Sequence, residues 1–447
     1  MGIASRRTAL VTVALAALVA VLALPAAMAG AQSSPIQPGN QPTPIPGGTN
    51  GQLPASDLIG VAPNCSAARA AGPSLGRLLA TAREQGVTLG TEECYRPLQG
   101  QVAAQQHATA AGNSACAASV PTVNGHPVGT SMHGWGKAVD FFDAGGTVTF
   151  GSSGYQFLQG AAARFGWNHP GWAQPGGSAC PEAWHWEWVG DGGTQGDASI
   201  RADVVGLVPS SDDRGYATVT GLGALGVHGD AVDRGSAASM PLAWLVVGTA
   251  STLDGGGYWM VGSDGSVFGF GNAGSFGSTA GVPLAQPIVG MAPTPDGGGY
   301  WLVAADGGVF TFGDARFFGS TGGVRLVRPI VGMTPTPDGR GYWLVASDGG
   351  IFSFGDARFF GSTGGISLNQ PVVGMAPTAD GAGYWLVASD GGVFTFGDAR
   401  FVGSAGGQPP AEPVVAMVRT RSGRGYWLAA ADGTVIGLGD AGSFGSG

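Results

Sequence analysis

Two rhythms of hydrophobic and polar positions divide the chain. Over residues 65–190 the rhythm changes from element to element. Leu75, Leu78, Leu79 and Ala82 recur at helical spacing, and Pro73-Ser74 ahead of them is a helix start signal. Residues 87–95 read as a strand, and the Ala- and Gln-rich run 99–111 as a helix. Residues 137–142 are a short apolar run of strand type. Ser153 suits the cap of a helix reaching Phe165, with Tyr155, Leu158, Ala162 and Phe165 turned inward. Residues 184–189 alternate as a strand should. Helices packed on a small antiparallel sheet, an α+β domain, account for this pattern.

After about residue 204 a single rhythm takes over. Gly-Tyr-Trp recurs with Tyr at 258, 300, 342, 384 and 426, a period of 42. Phe268, Phe310, Phe352 and Phe394 keep that period with Ile436 in register, and so do Asn272, Asp314, Asp356, Asp398 and Asp440. Tyr216 and Asp230 mark a degenerate copy one period earlier, in which Ala217 stands where the others carry Trp. That makes six copies. Within a copy, Asp-Gly turns separate apolar runs, the strongest short-range hairpin signal. Around Tyr300 the runs are 287–294, 300–304, 309–312 and 316–318. Four strands per copy is the pattern of a propeller blade, so the expected fold over 201–447 is an all-β domain, a six-bladed β-propeller. An open stack of hairpins is the alternative; it would need capping ends, and none is visible.

Composition sharpens this picture. A chain of 447 residues is too long for one ordinary domain. Charged residues are only 11% and Gly numbers 84, as suits a turn-rich repetitive β protein. The net charge of −9, with no basic cluster, argues against a nucleic-acid partner. Arg6 and Arg7, the apolar run 9–24, Pro25 and the small-x-small site Ala27-Met28-Ala29 read as an export signal over 1–29. Residues 30–56, rich in Pro, Gly, Gln, Ser and Thr, read as a flexible tether. No other stretch is long and apolar enough to span a membrane. All four cysteines, Cys65, Cys94, Cys116 and Cys180, fall in the first domain, 57–193. An even count in an exported chain points to two disulfides. Three connectivities exist. Cys65–Cys94 with Cys116–Cys180 is favoured, because Cys65 precedes a helix and Cys94 ends the strand expected to return along it.

Candidate chemistry concentrates in two stretches: Ser131-Met132-His133-Gly134-Trp135-Gly136-Lys137-Ala138-Val139-Asp140, and Glu182-Ala183-Trp184-His185. Two histidines, an aspartate and a glutamate can supply three ligands and a carboxylate base, the set a catalytic zinc site requires. The pattern S-x-H-x-x-G-x-A-x-D followed by E-x-W-H resembles the D-alanyl-D-alanine carboxypeptidases of the VanY type, zinc peptidases that trim bacterial cell-wall peptides. The resemblance covers residues 63–190. It implies a Hedgehog/DD-peptidase-like fold, one Zn²⁺ per chain on His133, Asp140 and His185, and Glu182 as general base. Tyr95-Arg96 followed by Gln101 resembles the family's Y-R-x-x-x-x-Q element, whose arginine stabilises the oxyanion. Arg96 also suits recognition of a free carboxylate, and both roles stay open. Ser131, Gln101 and Tyr95 are expected at the substrate. Glu187 shares a strand face with His185, where it is either an acceptor for that ligand or a surface residue. His107, His126, His169 and His228 lie outside the motifs, and His169 is either a cleft-rim residue or a loop histidine without a role.

The implied substrate is a peptidoglycan stem peptide that loses its terminal D-alanine, outside the cytoplasm or at the wall. Cleavage within the stem, or an inactive binding protein, are the alternatives. The repeats would offer a face to a wall polymer or a protein, an expectation from fold analogy alone.

Overall fold

A computed structural model describes residues 44–113, 116–123, 126–178, 180–190, 204–240 and 242–446. The expected export signal and most of the expected tether lie outside them. Residues 44–56 do not behave as a loose tether: Asn50 and Leu53 are buried. Among the described residues no helix is long and apolar enough to cross a membrane.

The first domain opens with a hairpin of β1 (Leu58–Ala62) and β2 (Cys65–Ala68). Asn64 turns it at φ 61°, a left-handed conformation that Asn tolerates. Helix α1 (Gly72–Glu84) carries Pro in its first turn and buries the expected Leu75, Leu78, Leu79 and Ala82 stripe. Then follow β3 (Leu89–Glu93), α2 (Leu98–Ala110), β4 (Ala138–Asp143), α3 (Ser153–Ala161), β5 (Trp167–Asn168) and β6 (His185–Trp188). The strands pair antiparallel in the order β3–β4–β6–β5, with Gly146–Thr147 added against β4.

Two element limits differ from expectation. β3 is shorter than 87–95, because Val87 N still donates to Ala82 O at the end of α1, and Tyr95 N leaves the sheet for Ser66 O. The cap of α3 is Ser152, not Ser153; its hydroxyl accepts from Tyr155 N at 3.3 Å. The helix then tightens into a 3₁₀ turn, Ala162–Phe165, which Gly166 ends at φ 73°. Both disulfides, Cys65–Cys94 and Cys116–Cys180, follow the favoured connectivity.

In the repeats each copy is a three-stranded antiparallel sheet, not four-stranded. Ile288–Pro293, Gly299–Ala304 and Val309–Gly313 are one example. The expected fourth run, 316–318, forms no ladder because its backbone groups are taken elsewhere. Arg316 O accepts from Trp301 Nε1 at 2.7 Å, and Phe318 N donates to the Tyr342 hydroxyl of the next copy at 3.2 Å. Tyr342 in turn donates to Gly319 O at 2.6 Å, and its ring meets Trp301 edge-on at 5.8 Å. Gly-Tyr-Trp is therefore the joint between consecutive copies. The same joint links the last copy to the first. Tyr216 donates to Gly445 O at 2.5 Å, Trp427 meets the Tyr216 ring at 6.0 Å, and Val204 N donates to Ala431 O at 3.0 Å.

The first domain rests on the repeats through β1. Ile59 is buried in a cluster with Ala217, Val219, Leu245 and Tyr258. Gly60 N donates to Ala243 O at 2.5 Å, and Arg77 forms an ion pair with Glu412 at 2.9 Å. Deleting residues 204–447 would expose Ile59, which costs about 1.5–3 kcal/mol, and strip Gly60 on β1 of its hydrogen bonds to Ala243 and Leu245. The truncated first domain is expected to unfold roughly 10 °C below the same transition in the full chain, read by calorimetry. An unchanged transition would show that the contact carries no stability.

Candidate functional site

The sheet register gathers the motif residues. Asp140 on β4 stands opposite His185 on β6 and Glu93 on β3, and Ala138 stands opposite Glu187. His133 arrives from a 3₁₀ turn, Met132–Trp135, whose N-terminal residue Ser131 accepts from His133 N at 3.2 Å. Gly136 ends that turn at φ 64°, where a side chain would also meet Ala68 N. A side chain on Gly134 would strike Asn50 and Gln101, so both glycines of His-Gly-x-Gly are dictated by packing.

Two buried amides hold the loop. Asn50 Nδ2 donates to Ser131 O at 2.8 Å, Gln101 Oε1 accepts from Ser131 N at 3.2 Å, and Gln101 Nε2 donates to Asn50 Oδ1 at 2.9 Å. Tyr95 accepts from Leu53 N at 3.0 Å through its hydroxyl. The structure thus places Ser131 and Gln101 in the scaffold around His133, and sets the Tyr95 hydroxyl on the backbone of the 50–53 segment.

Three potential ligand atoms converge. His185 Nδ1 lies 2.9 Å from Asp140 Oδ1, His133 Nε2 lies 3.2 Å from the same oxygen, and the two nitrogens are 3.2 Å apart. A tetrahedral ion with ligands at 2.0–2.2 Å needs them about 3.3–3.6 Å from one another, a few tenths of an ångström wider than these separations. The far side of each ring is occupied. His133 Nδ1 is 2.7 Å from Cys94 O, and His185 Nε2 is 3.3 Å from Glu187 Oε1. Both partners can only accept, so those nitrogens carry the hydrogens and the neutral rings aim lone pairs at the centre. Three facing lone pairs call for a cation or a proton. Burial alone would lower the His185 pKa, but its bonds to Asp140 and Glu187 raise it to about 9. Burial would raise Asp140, yet the charges and hydrogen bonds of His133 and His185 hold it well below the usual carboxylate range. His133, Asp140 and His185 therefore fit a divalent metal.

Around this centre stand two more ionisable groups. Glu182 sits in the turn before β6 with Oε2 3.9 Å from His185 Nδ1, and burial pushes its carboxyl pKa up. Arg96 grips Glu93 with Nε and Nη2, the former at 2.6 Å, and its Nη2 lies 3.8 Å from Asp140 Oδ2. Burial opposes the Arg96 charge, but the bond and charge of Glu93 and the charges of Asp140 and Glu182 raise its pKa.

His169 belongs here too, although no motif marks it. Its Nε2 donates to Glu182 O at 2.8 Å and its ring stacks on Trp186 at 4.8 Å. Burial lowers its pKa, as befits a neutral donor. Asn50 and Glu93 were likewise invisible as site residues. One lay in a stretch with linker composition, and the other precedes its partner Arg96 by three residues with no spacing signature.

Residues 66–191 match the family of VanY D-alanyl-D-alanine carboxypeptidases, so this segment is a metallopeptidase domain of that family. No curated protein matches the chain.

Proposed function

We propose that the chain is an exported D-alanyl-D-alanine carboxypeptidase that releases the terminal D-alanine of peptidoglycan stem peptides. The observation that carries this reading is the convergence of three candidate ligand atoms beside a half-buried Glu182, inside a domain matched by that family. Zn²⁺ is the ion assigned to His133, Asp140 and His185, since mixed imidazole and carboxylate donors at near-tetrahedral spacing suit it. Such an ion supplies Lewis acidity toward a water and a carbonyl oxygen. Glu182, its pKa raised by burial, takes the proton from the attacking water and returns it to the leaving amine. Arg96 donates to the oxygen on which charge develops, or to the substrate carboxylate, with Glu93 fixing its plane. Ser131 and Gln101 act in this reading by holding the His133 loop in place, and Tyr95 by anchoring the segment that carries Asn50 and Leu53. Two disulfides and the family match support action outside the cytoplasm.

For the repeats the reading is a closed six-bladed ring with short three-stranded blades. Its support is that the first and last copies share the joint found between neighbours. The deciding experiment is mass spectrometry of purified stem peptides after incubation with the protein. A pentapeptide should lose the mass of one alanine residue. Fragments cut inside the stem would make it an endopeptidase, and unchanged peptides would remove the catalytic reading.

A further inference from the structure

In five of the six copies the tryptophan of Gly-Tyr-Trp fills one slot at the joint. Its ring meets the tyrosine of the next copy, at 5.9 Å for Trp259 with Tyr300 and 5.8 Å for Trp343 with Tyr384. Its Nε1 donates to a carbonyl fifteen residues on. The acceptors are Gly274, Arg316, Arg358, Arg400 and Gly442, at 2.6 to 2.8 Å. These indoles are buried.

The first copy breaks the rule at Ala217. A cavity of about 120 Å³ opens there; Val208, Ala217, Ala231, Val232 and Tyr258 line it together with the polar Ser210, Asp212, Asp230 and Arg234. Two periods further on, Ala292, Trp301, Ala315 and Tyr342 hold the positions of Val208, Ala217, Ala231 and Tyr258 and pack into one core cluster. The cavity is therefore the tryptophan slot without its indole. Tyr258 has Phe270 as its ring partner among the described residues, whereas the tyrosines of the other five joints also meet a tryptophan. Val232 occupies the sequence position of Arg316, whose carbonyl receives the indole N–H in the third copy. A void in a packed joint forfeits the contacts its lining would make. An apolar cavity of about 150 Å³ suffices for benzene; this one is smaller but open to solvent, so a larger ring can protrude from it.

We propose that this slot binds an indole group, which takes the place that the chain's own tryptophan takes in the other five joints. Its N–H would donate to the Val232 carbonyl and its face would meet Tyr258. The group can come from a free indole compound or from a tryptophan side chain of a peptide. No residue of the metal-ligand cluster takes part, so the site stands or falls independently of the peptidase reading.

Calorimetric titration of the full chain with indole tests it. Binding should saturate at one site per chain, since the other five slots are filled. Benzothiophene, with the same outline but no N–H, should bind roughly tenfold more weakly. Ala217→Trp should abolish binding and raise the melting temperature, because it completes the joint. If that ring overfills the slot, Ala217→Leu serves as the second variant and should also abolish binding. N-acetyltryptophanamide identifies the source. Binding at the same stoichiometry admits a peptide side chain, and its exclusion while indole binds leaves the small molecule. No saturable heat up to the solubility limit of indole, more than one site per chain, equal affinity for benzothiophene, or unchanged binding in both variants would overturn the proposal.

Discussion

His185→Ala is expected to bring bound metal close to zero and to reduce peptide hydrolysis to background. His185 offers one of the three candidate ligand atoms, and it is also the bridge between Asp140 and Glu187. Its removal leaves two carboxylates facing a buried gap, so the melting temperature should fall as well. Metal content by elemental analysis separates this from simple unfolding, provided that circular dichroism shows the variant folded at the assay temperature. Full occupancy and activity would refute the ligand assignment. The wild-type site carries a pH signature of the same residue. Without metal His185 holds a proton up to about pH 9. Metal must displace that proton, so apparent affinity should rise about tenfold per pH unit from neutrality toward pH 9 and level off above it. A flat profile over that range would place the displaced proton elsewhere.

Glu182→Gln is expected to keep the metal and lose turnover. Glu182 Oε2 stands 3.9 Å from His185 Nδ1, beside the candidate ligands His133, Asp140 and His185, and is not one of that group. Losing a general base costs ~10² to 10⁴-fold in rate, with a smaller change in KM. Glutamine keeps the volume and the backbone bond from His169 to residue 182. A lower metal content would make Glu182 a ligand, and near-normal turnover would mean that another group takes the proton. Burial raises the Glu182 pKa, so the acid limb of kcat/KM should lie above the ordinary glutamate range. Glu182→Gln should abolish that limb.

Much of this site could be read from residue order because its chemistry is local in sequence. His133 and Asp140 lie seven apart on one turn and strand, and Glu182 precedes His185 by three. The repeats were legible for a different reason. A joint built from Tyr in every copy and Trp in five of the six stamps its period on the chain. The number of strands per copy was not legible. The run 316–318 has strand composition, yet its backbone is bound by Trp301 and by Tyr342 of the next copy. Only the neighbour's position decides between a ladder and a clasp.

The sequence by itself determined which residues can bear charge or lone pairs toward a metal, that two disulfides should form, and that six copies of one β unit follow an α+β domain. It did so because ligand type, cysteine parity and periodicity are properties of residue identity and spacing. Tertiary structure alone decided what surrounds those residues. It brought Asn50 from a linker-like stretch to the His133 loop, 81 positions away from the Ser131 carbonyl it binds. It set His169 under the Glu182 carbonyl, and it docked Ile59 into a cluster of the repeats. It also turned the Ala217 exception into a cavity rather than a collapsed joint. Each of these is a contact between distant segments, fixed by packing and by the need to satisfy buried polar groups, which no local pattern encodes.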